Sequence, residues 1–226
     1  MIKSILIIAP HPDDEVLGCG GVISKLSTAG CKVFVAVVTH GHLGAPELFK
    51  KEGTERVRKE AKEAHAYLGV QETIFLDFPV LHLQVNPSYK LSGKIAELIK
   101  KYSIDTLYIP HRGDIHNDHA ACFTAALVAA RPINNCPVKR IYVYETLSET
   151  EWAAPFGNDT FIPTVFEDIS DFIEHKLRSF SFFTTQLKDY PHPRSLDAIK
   201  NLSMYRGATV GYRHAEAFML VREIKA

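Results

Sequence analysis

The stretch Ile2-Lys3-Ser4-Ile5-Leu6-Ile7-Ile8-Ala9-Pro10-His11-Pro12-Asp13-Asp14-Glu15 decides the reading of the fold. Residues 2–9 form an apolar, largely β-branched run without polar alternation, the mark of a strand buried on both faces. Pro10-His11-Pro12 ends it, and residues 15–28 follow as a helix closed by Gly30. The same alternation continues outward. Strands are expected at 32–39, at 73–76 (short), at 105–109 and at Arg140–Tyr144, with helices at 47–68, 91–102 and 119–130. Alternation over about the first 145 residues predicts an α/β fold, a Rossmann-like, mostly parallel sheet with helices on both faces. Beyond Leu147 the pattern loosens. Strands at 162–166 and 217–221 and helices at 171–186 and 195–205 read as a C-terminal elaboration of one domain spanning residues 1–226.

Composition bounds the function. The chain has 226 residues, 26 basic and 26 acidic, so its formal net charge is zero. That balance argues against nucleic acid as a partner, because phosphate neutralisation needs a clustered basic excess. The apolar run before His11 is too short for a signal-peptide core, and no stretch approaches the ~20 apolar residues of a membrane span. The four cysteines form no C-x-x-C pair, and a cytoplasmic protein with reduced thiols is expected.

The turn after the first strand carries the first chemical signal. A dinucleotide-binding fold would place G-x-G-x-x-G here. His11-Pro12-Asp13-Asp14-Glu15 would instead repel a phosphate, and Gly18, Gly20 and Gly21 come too late, as close-packing positions in the helix. His11 and Asp14 are one helical turn apart, so both can face one point. Imidazole and carboxylate are a normal partial set for catalytic zinc, with Asp13 left free beside it. The alternative is that Asp13 or Asp14 caps the helix. The second signal is His111-Arg112-Gly113-Asp114-Ile115-His116-Asn117-Asp118-His119, after the fourth strand, with His116 and His119 again one turn apart. It could be a histidine-rich loop and no more. In Rossmann order, however, strands one and four are neighbours at the topological switch point, and both clusters lie at their carboxyl ends, where ligands bind.

These residues, with Arg206-Gly207, Gly211 and Ala215-Glu216-Ala217-Phe218 near the C-terminus, resemble the PIG-L/LmbE-like family of zinc-dependent N-acetyl-sugar deacetylases. The resemblance implies a hydrolase removing acetyl from an N-acetylated amino sugar or its conjugate, with nucleotide-sugar or surface-glycan precursors as candidates. It implies His11, Asp14 and His119 as ligands of Zn2+, a site that would also accept other divalent transition metals. Asp13 would be the general base, His116 the electrophile facing the oxyanion, and Asp118 the group that orients and charges His116. It also implies a homo-oligomer, with a hexamer as the candidate assembly, and a small-molecule N-acetyl sugar as partner.

The chain departs from the family where an Asp-Gly after the third strand would contact the sugar. Phe78-Pro79-Val80-Leu81 stands there, leaving Asp77 and His82 as substitutes, with Asp77 equally readable as a turn residue. His214 replaces a frequent tyrosine, and Arg56 or Arg58 is the candidate substrate arginine of the second long helix. Trp152 could stack on a sugar face or sit in the core. Arg112, Arg194 and Arg206 are candidates to neutralise a substrate phosphate. His192 and Arg194, in a proline-bounded turn, could close the site or meet another subunit. His40 and His42 are substrate contacts or solvated loop residues, and His65, His175 and His192 read as structural. Two rival functions remain: deacetylation of a thiol-cofactor glycoside precursor of the bacillithiol or mycothiol type, and a non-catalytic sugar- or nucleotide-binding Rossmann-type protein. Retention of Asp13 and His116, neither needed to hold a metal, speaks against the second.

Overall fold

The protein is described here from a computed structural model covering residues 2–85 and 88–225. Strand β1 (Ser4–Ala9) is buried along its whole length, as its apolar run requires. It pairs in parallel with β2 (Lys32–His40) on one side and β4 (Thr106–Pro110) on the other. Beyond β2 lies β3 (Glu72–Pro79), also parallel, and beyond β4 lies β5 (Arg140–Tyr144). The chain therefore builds outward to one edge and then returns to the far side of β1. The reversal leaves a crevice at the carboxyl ends of β1 and β4.

Side-chain alternation along β1 divides the core. Ile5 and Ile7 face the layer that contains α1 (Asp14–Thr28), α3 (Lys51–Leu68) and α6 (Ile173–Phe180). Leu6 and Ile8 face α4 (Ser88–Lys101) and α5 (Asn117–Ala129). Each fully buried Ile or Leu contributes roughly 1.5–3 kcal/mol relative to exposure, so β1 is the spine of both layers.

The C-terminal elaboration completes the same sheet. β7 (Ala215–Glu223) runs antiparallel to β5 and to β6 (Val165–Asp168), giving seven strands in the order β3-β2-β1-β4-β5-β7-β6. Helix α7 (Leu196–Ala208) precedes β7. Of the boundaries that differ from the sequence reading, three have a local cause. The helix expected from residue 47 starts at Lys51, because Leu48 and Phe49 turn back to donate to Ala45 O and Lys50 is extended; a one-turn helix, α2 (Gly41–Gly44), forms upstream. β3 is longer than expected because its end pairs with Thr39 and His40 beyond a register shift. The helix expected over 171–186 spans only α6, since residues beyond Phe180 enter successive turns. Among the described residues, no helix is long and apolar enough to cross a membrane.

The late A-E-A-F block has a structural task in α1. Gly21 and Val22 N–H donate to the Glu216 carboxylate at 2.9 and 2.7 Å. Lys176 Nζ donates to Leu17 O and to Glu216, each at 2.7 Å. Leu17 C=O and Gly21 N–H are partners in a regular α-helix, and here a buried ion pair engages both. The glycines make room. A Cβ on Gly18 would lie 2.3 Å from the Tyr144 ring, one on Gly21 2.8 Å from Ile169, and one on Gly20 3.0 Å from Lys176. Tyr144 in turn donates to Ile8 O at 2.7 Å. The helix that begins at the Asp13-Asp14 turn is thus keyed to β5, α6 and β7. Lys176→Met leaves Glu216 buried without its cation and should destabilise the fold by about 3–5 kcal/mol, measured by urea denaturation. Lys176→Met/Glu216→Gln should recover part of that loss, because the uncompensated charge is gone.

Candidate metal centre

The turn after β1 is under backbone strain. Asp13 adopts φ 117°, a region that disfavours a side chain. A buried chain of hydrogen bonds holds it there. Asp13 N–H donates to Glu15 Oε2 at 3.2 Å, His65 Nε2 donates to Glu15 Oε1 at 2.8 Å, and His65 Nδ1 lies 2.8 Å from Thr73 Oγ1. Neither aspartate caps α1. Asp13 makes no side-chain cap bond, and Asp14 Oδ2 accepts from His11 N–H at 2.8 Å. Both carboxylates are buried and turned to the crevice.

The loop after β4 meets this turn. His119 Nδ1 donates to Asp114 Oδ2 at 2.7 Å, and Thr150 Oγ1 donates to Asp114 Oδ1 at 2.6 Å. That pair fixes the ring and leaves Nε2 aimed at Asp14 Oδ2, 3.3 Å away. His11 Nδ1 is 3.3 Å from the same oxygen. Donor atoms of His11, Asp14 and His119 lie within 4.8 Å of one another, and so do those of His11, His116 and Asp118. Asp13 Oδ2, Asp14 Oδ1 and His119 Nε2 are buried without a hydrogen-bond partner among the described residues. Buried polar atoms are almost always satisfied; Asp13 Oδ2 faces Arg194 at 3.4 Å, and the meeting of Asp14 with the His11 and His119 rings fits a cation. The first donor set, two imidazoles and a carboxylate, suits zinc.

Asp118 behaves differently from the expectation. Its Oδ2 lies 3.3 Å from His11 Nε2 and accepts from Leu81 N–H at 2.9 Å, but is 4.0 Å from His116 Nδ1. His116 Nδ1 instead accepts the Asp118 backbone N–H at 3.2 Å, so the ring serves as the N-cap of α5. The carboxylate is therefore placed to orient His11, while from 4.0 Å its charge also favours a charged His116 against burial and the His11 charge.

Electrostatics follow burial and pairing. Burial pushes the His11 imidazole down, but bonds to Asp118 and Asp14 outweigh it and raise the ring to about 9. Burial likewise opposes His119, which Asp14 and Asp114 raise to about 10. Asp14 would rise on burial, but His119 and His11 together hold it well below the carboxylate range. Asp13 is raised to about 7, chiefly by burial and against the pull of Arg194. Burial and the His11 charge lower His116 to about 4.

The other expected contacts divide. The crevice opens into a cleft of about 560 Å3 whose walls include His11, Asp13, His116, Arg58 and Arg194. Arg58, not Arg56, faces it; Arg56 bonds Glu60 and Thr184 instead. Asp77 has the positive φ of a turn residue and is the partner of Arg58 at 2.6 Å, and His82 Nδ1 lies 2.9 Å from Val80 O. Arg56, Asp77 and His82 are not among the cleft walls, and neither are Trp152, Arg112 and His214. Trp152 is neither core nor cleft wall but is exposed against His192; Arg112 pairs with Asp159; His214 bonds Ser203. Arg206, a candidate for substrate phosphate, is engaged by both oxygens of Glu145. Sequence reasoning gave no role to Asp114, although it stands five residues before His119 in the histidine-rich run. Arg194 carries three readings in the sequence: phosphate contact, site closure and subunit contact. Its guanidinium sits 3.4 Å from Asp13 and 3.7 Å from Glu149, a contact between distant segments that no local pattern announces.

A family profile, PIG-L: GlcNAc-PI de-N-acetylase, matches residues 6–130, the span that holds both His/Asp clusters. The chain belongs to the PIG-L/LmbE deacetylase family. Among PIG-L relatives, it is 32% identical over 176 residues to the uncharacterized deacetylase YaiS of Escherichia coli, covering 75% of this chain and 83% of that protein. It is 27% identical to the diacetylchitobiose deacetylase of Thermococcus kodakarensis, covering 97% of this chain and 84% of that protein. The crystal structure of the conserved protein TT1542 from Thermus thermophilus superimposes with a TM-score of 0.78 at 25% identity, covering 100% of this chain and 97% of that one.

Two rings raised above neutrality must each lose a proton before they can ligate a cation. Divalent-cation binding should therefore release protons at pH 7 and weaken as pH falls. Calorimetry in buffers of different ionisation enthalpy checks this: a binding heat independent of buffer would contradict it.

Proposed function

We propose that the chain is a zinc-dependent N-deacetylase that hydrolyses the acetamide of an N-acetylated amino sugar or its conjugate. The observation that carries this reading is the meeting of His11, Asp14 and His119 beside a buried Asp13 that lines the cleft. Family membership and the names of the relatives support the substrate class. His11, Asp14 and His119 would hold the ion. When bound, a divalent cation lowers the pKa of a water and polarises a carbonyl.

The remaining work falls to side chains. Asp13, raised to about 7, matches its proton affinity to neutral pH. It takes a proton from the water that adds to the amide carbon and returns it to the nitrogen as the C–N bond breaks, so acetate and a free amine leave. His116 accepts the Asp118 N–H at Nδ1, so its neutral ring carries the proton on Nε2. That N–H donates to the carbonyl oxygen as negative charge develops there. Charging by Asp118 is not needed for this role. Asp118 instead holds His11, and Arg194 restrains the Asp13 carboxylate from the opposite side.

Acetate release from N-acetylglucosamine and its glycosides by the zinc-loaded protein tests the reading. Asp13→Asn should retain zinc by elemental analysis and lose roughly 10²–10⁴-fold in kcat; near wild-type turnover would overturn the base assignment. His116→Ala should lower kcat on the order of 100- to 1,000-fold with a smaller change in KM. Arg194 lowers the Asp13 pKa, and the base acts when ionised. Arg194→Met should therefore move the acid limb of the kcat/KM profile to higher pH, whereas an unmoved limb would show that Arg194 does not act on the base.

A further inference from the structure

One wall of the metal cleft is apolar. It is formed by Leu48, Phe49, Val57 and Val80. Leu48 and Phe49 reach it because residues 47–50 do not continue α3; the turn onto Ala45 O sets both at the cleft mouth. They are 65% and 42% exposed, a pair of large apolar side chains side by side at a ligand entrance. Lone exposed apolar residues need no explanation, but a contiguous set marks a binding surface.

The charges around the cleft point the same way. Arg58 is paired with Asp77 at 2.6 Å and lies 4.1 Å over the Phe75 ring. Arg194 is bound by Asp13 and Glu149 and donates to Ser148 and Gln186. Among the described residues, Lys50 is the cleft-wall cation without a carboxylate partner, contacting Pro46 O at 3.5 Å. Apart from Lys50 at the wall, an incoming phosphate or carboxylate would meet arginines already paired and the carboxylates of Asp13 and Glu149 nearby, which disfavours its approach. The cleft, about 560 Å3, is of the size that takes a drug-sized ligand.

We propose that the cleft selects an N-acetyl amino sugar bearing an uncharged, apolar aglycone, seated against Leu48, Phe49, Val57 and Val80. This rests on the function proposed above and specifies its substrate class. The sugar's acetamide points to Asp13 and His116, and the aglycone lies toward the mouth.

The test uses three ligands of the zinc-loaded protein: the phenyl and methyl β-glycosides of N-acetylglucosamine and N-acetylglucosamine 1-phosphate. Dissociation constants come from calorimetry and acetate release from the same samples. Phenyl should bind at least about tenfold tighter than methyl, and the phosphate no tighter than methyl. Phe49→Ala should narrow the phenyl-to-methyl ratio. Equal binding of phenyl and methyl, or preference for the phosphate, overturns the proposal. If the ranking holds without acetate release, the deacetylase reading falls and the cleft's selectivity stands. If acetate is released and the ranking is absent, the selectivity falls alone. If none of the three binds, both fall.

Discussion

Everything at the crevice depends on one constraint: the carboxylates of Asp14, Asp114 and Asp118 are buried within reach of the His11 and His119 imidazoles, with Asp13 buried beside them. Taking ionised carboxylates out of water costs several kcal/mol each unless charge or hydrogen bonds compensate. Asp114 and Asp118 are compensated through His119, Thr150, His11 and Leu81. Asp14 is compensated by the same two rings, which are raised to about 9 and 10 as a result. A site that holds two protons on its histidines to balance its aspartates is one in which a divalent cation can replace them. Asp13 falls outside that exchange. It keeps an open oxygen, faces Arg194, and is left to move protons.

The fold serves this arrangement from a distance. β1 delivers Asp13 and Asp14, β4 delivers His116 and His119, and their adjacency follows from the chain's return across the sheet. The strained backbone at Asp13 is held by Glu15 and His65, a residue of α3. Farther back, the Lys176–Glu216 pair locks α1 onto the C-terminal strands. The elaboration beyond Leu147 is therefore part of the site's support, and through Arg194 part of the site.

Legibility from sequence followed the range of each interaction. The alternating strands and helices, the crevice between β1 and β4, and the two His/Asp clusters rest on local pattern plus a topology rule, and the structure brings those clusters together. The roles of Asp118 and Arg194 depend on tertiary geometry. The resemblance assigns Asp118 to His116, two residues away, but the carboxylate lies nearer His11 on another loop. Arg56 and Arg58 share a helix two residues apart, so only packing decides that Arg58 faces the cleft. The arginines imagined as phosphate contacts are taken by Glu145, Asp159 and Asp13, partners that no local motif marks.

In the proposed site, His11, Asp14 and His119 form one coordination shell. X-ray absorption at the zinc edge of the loaded protein tests it most directly. Two imidazole nitrogens at about 2.0–2.1 Å and carboxylate or water oxygen at about 2.0–2.2 Å are expected, without sulfur. Loss of one imidazole contribution in His119→Ala should follow. A sulfur shell near 2.3 Å, or a spectrum unchanged by that substitution, would contradict it.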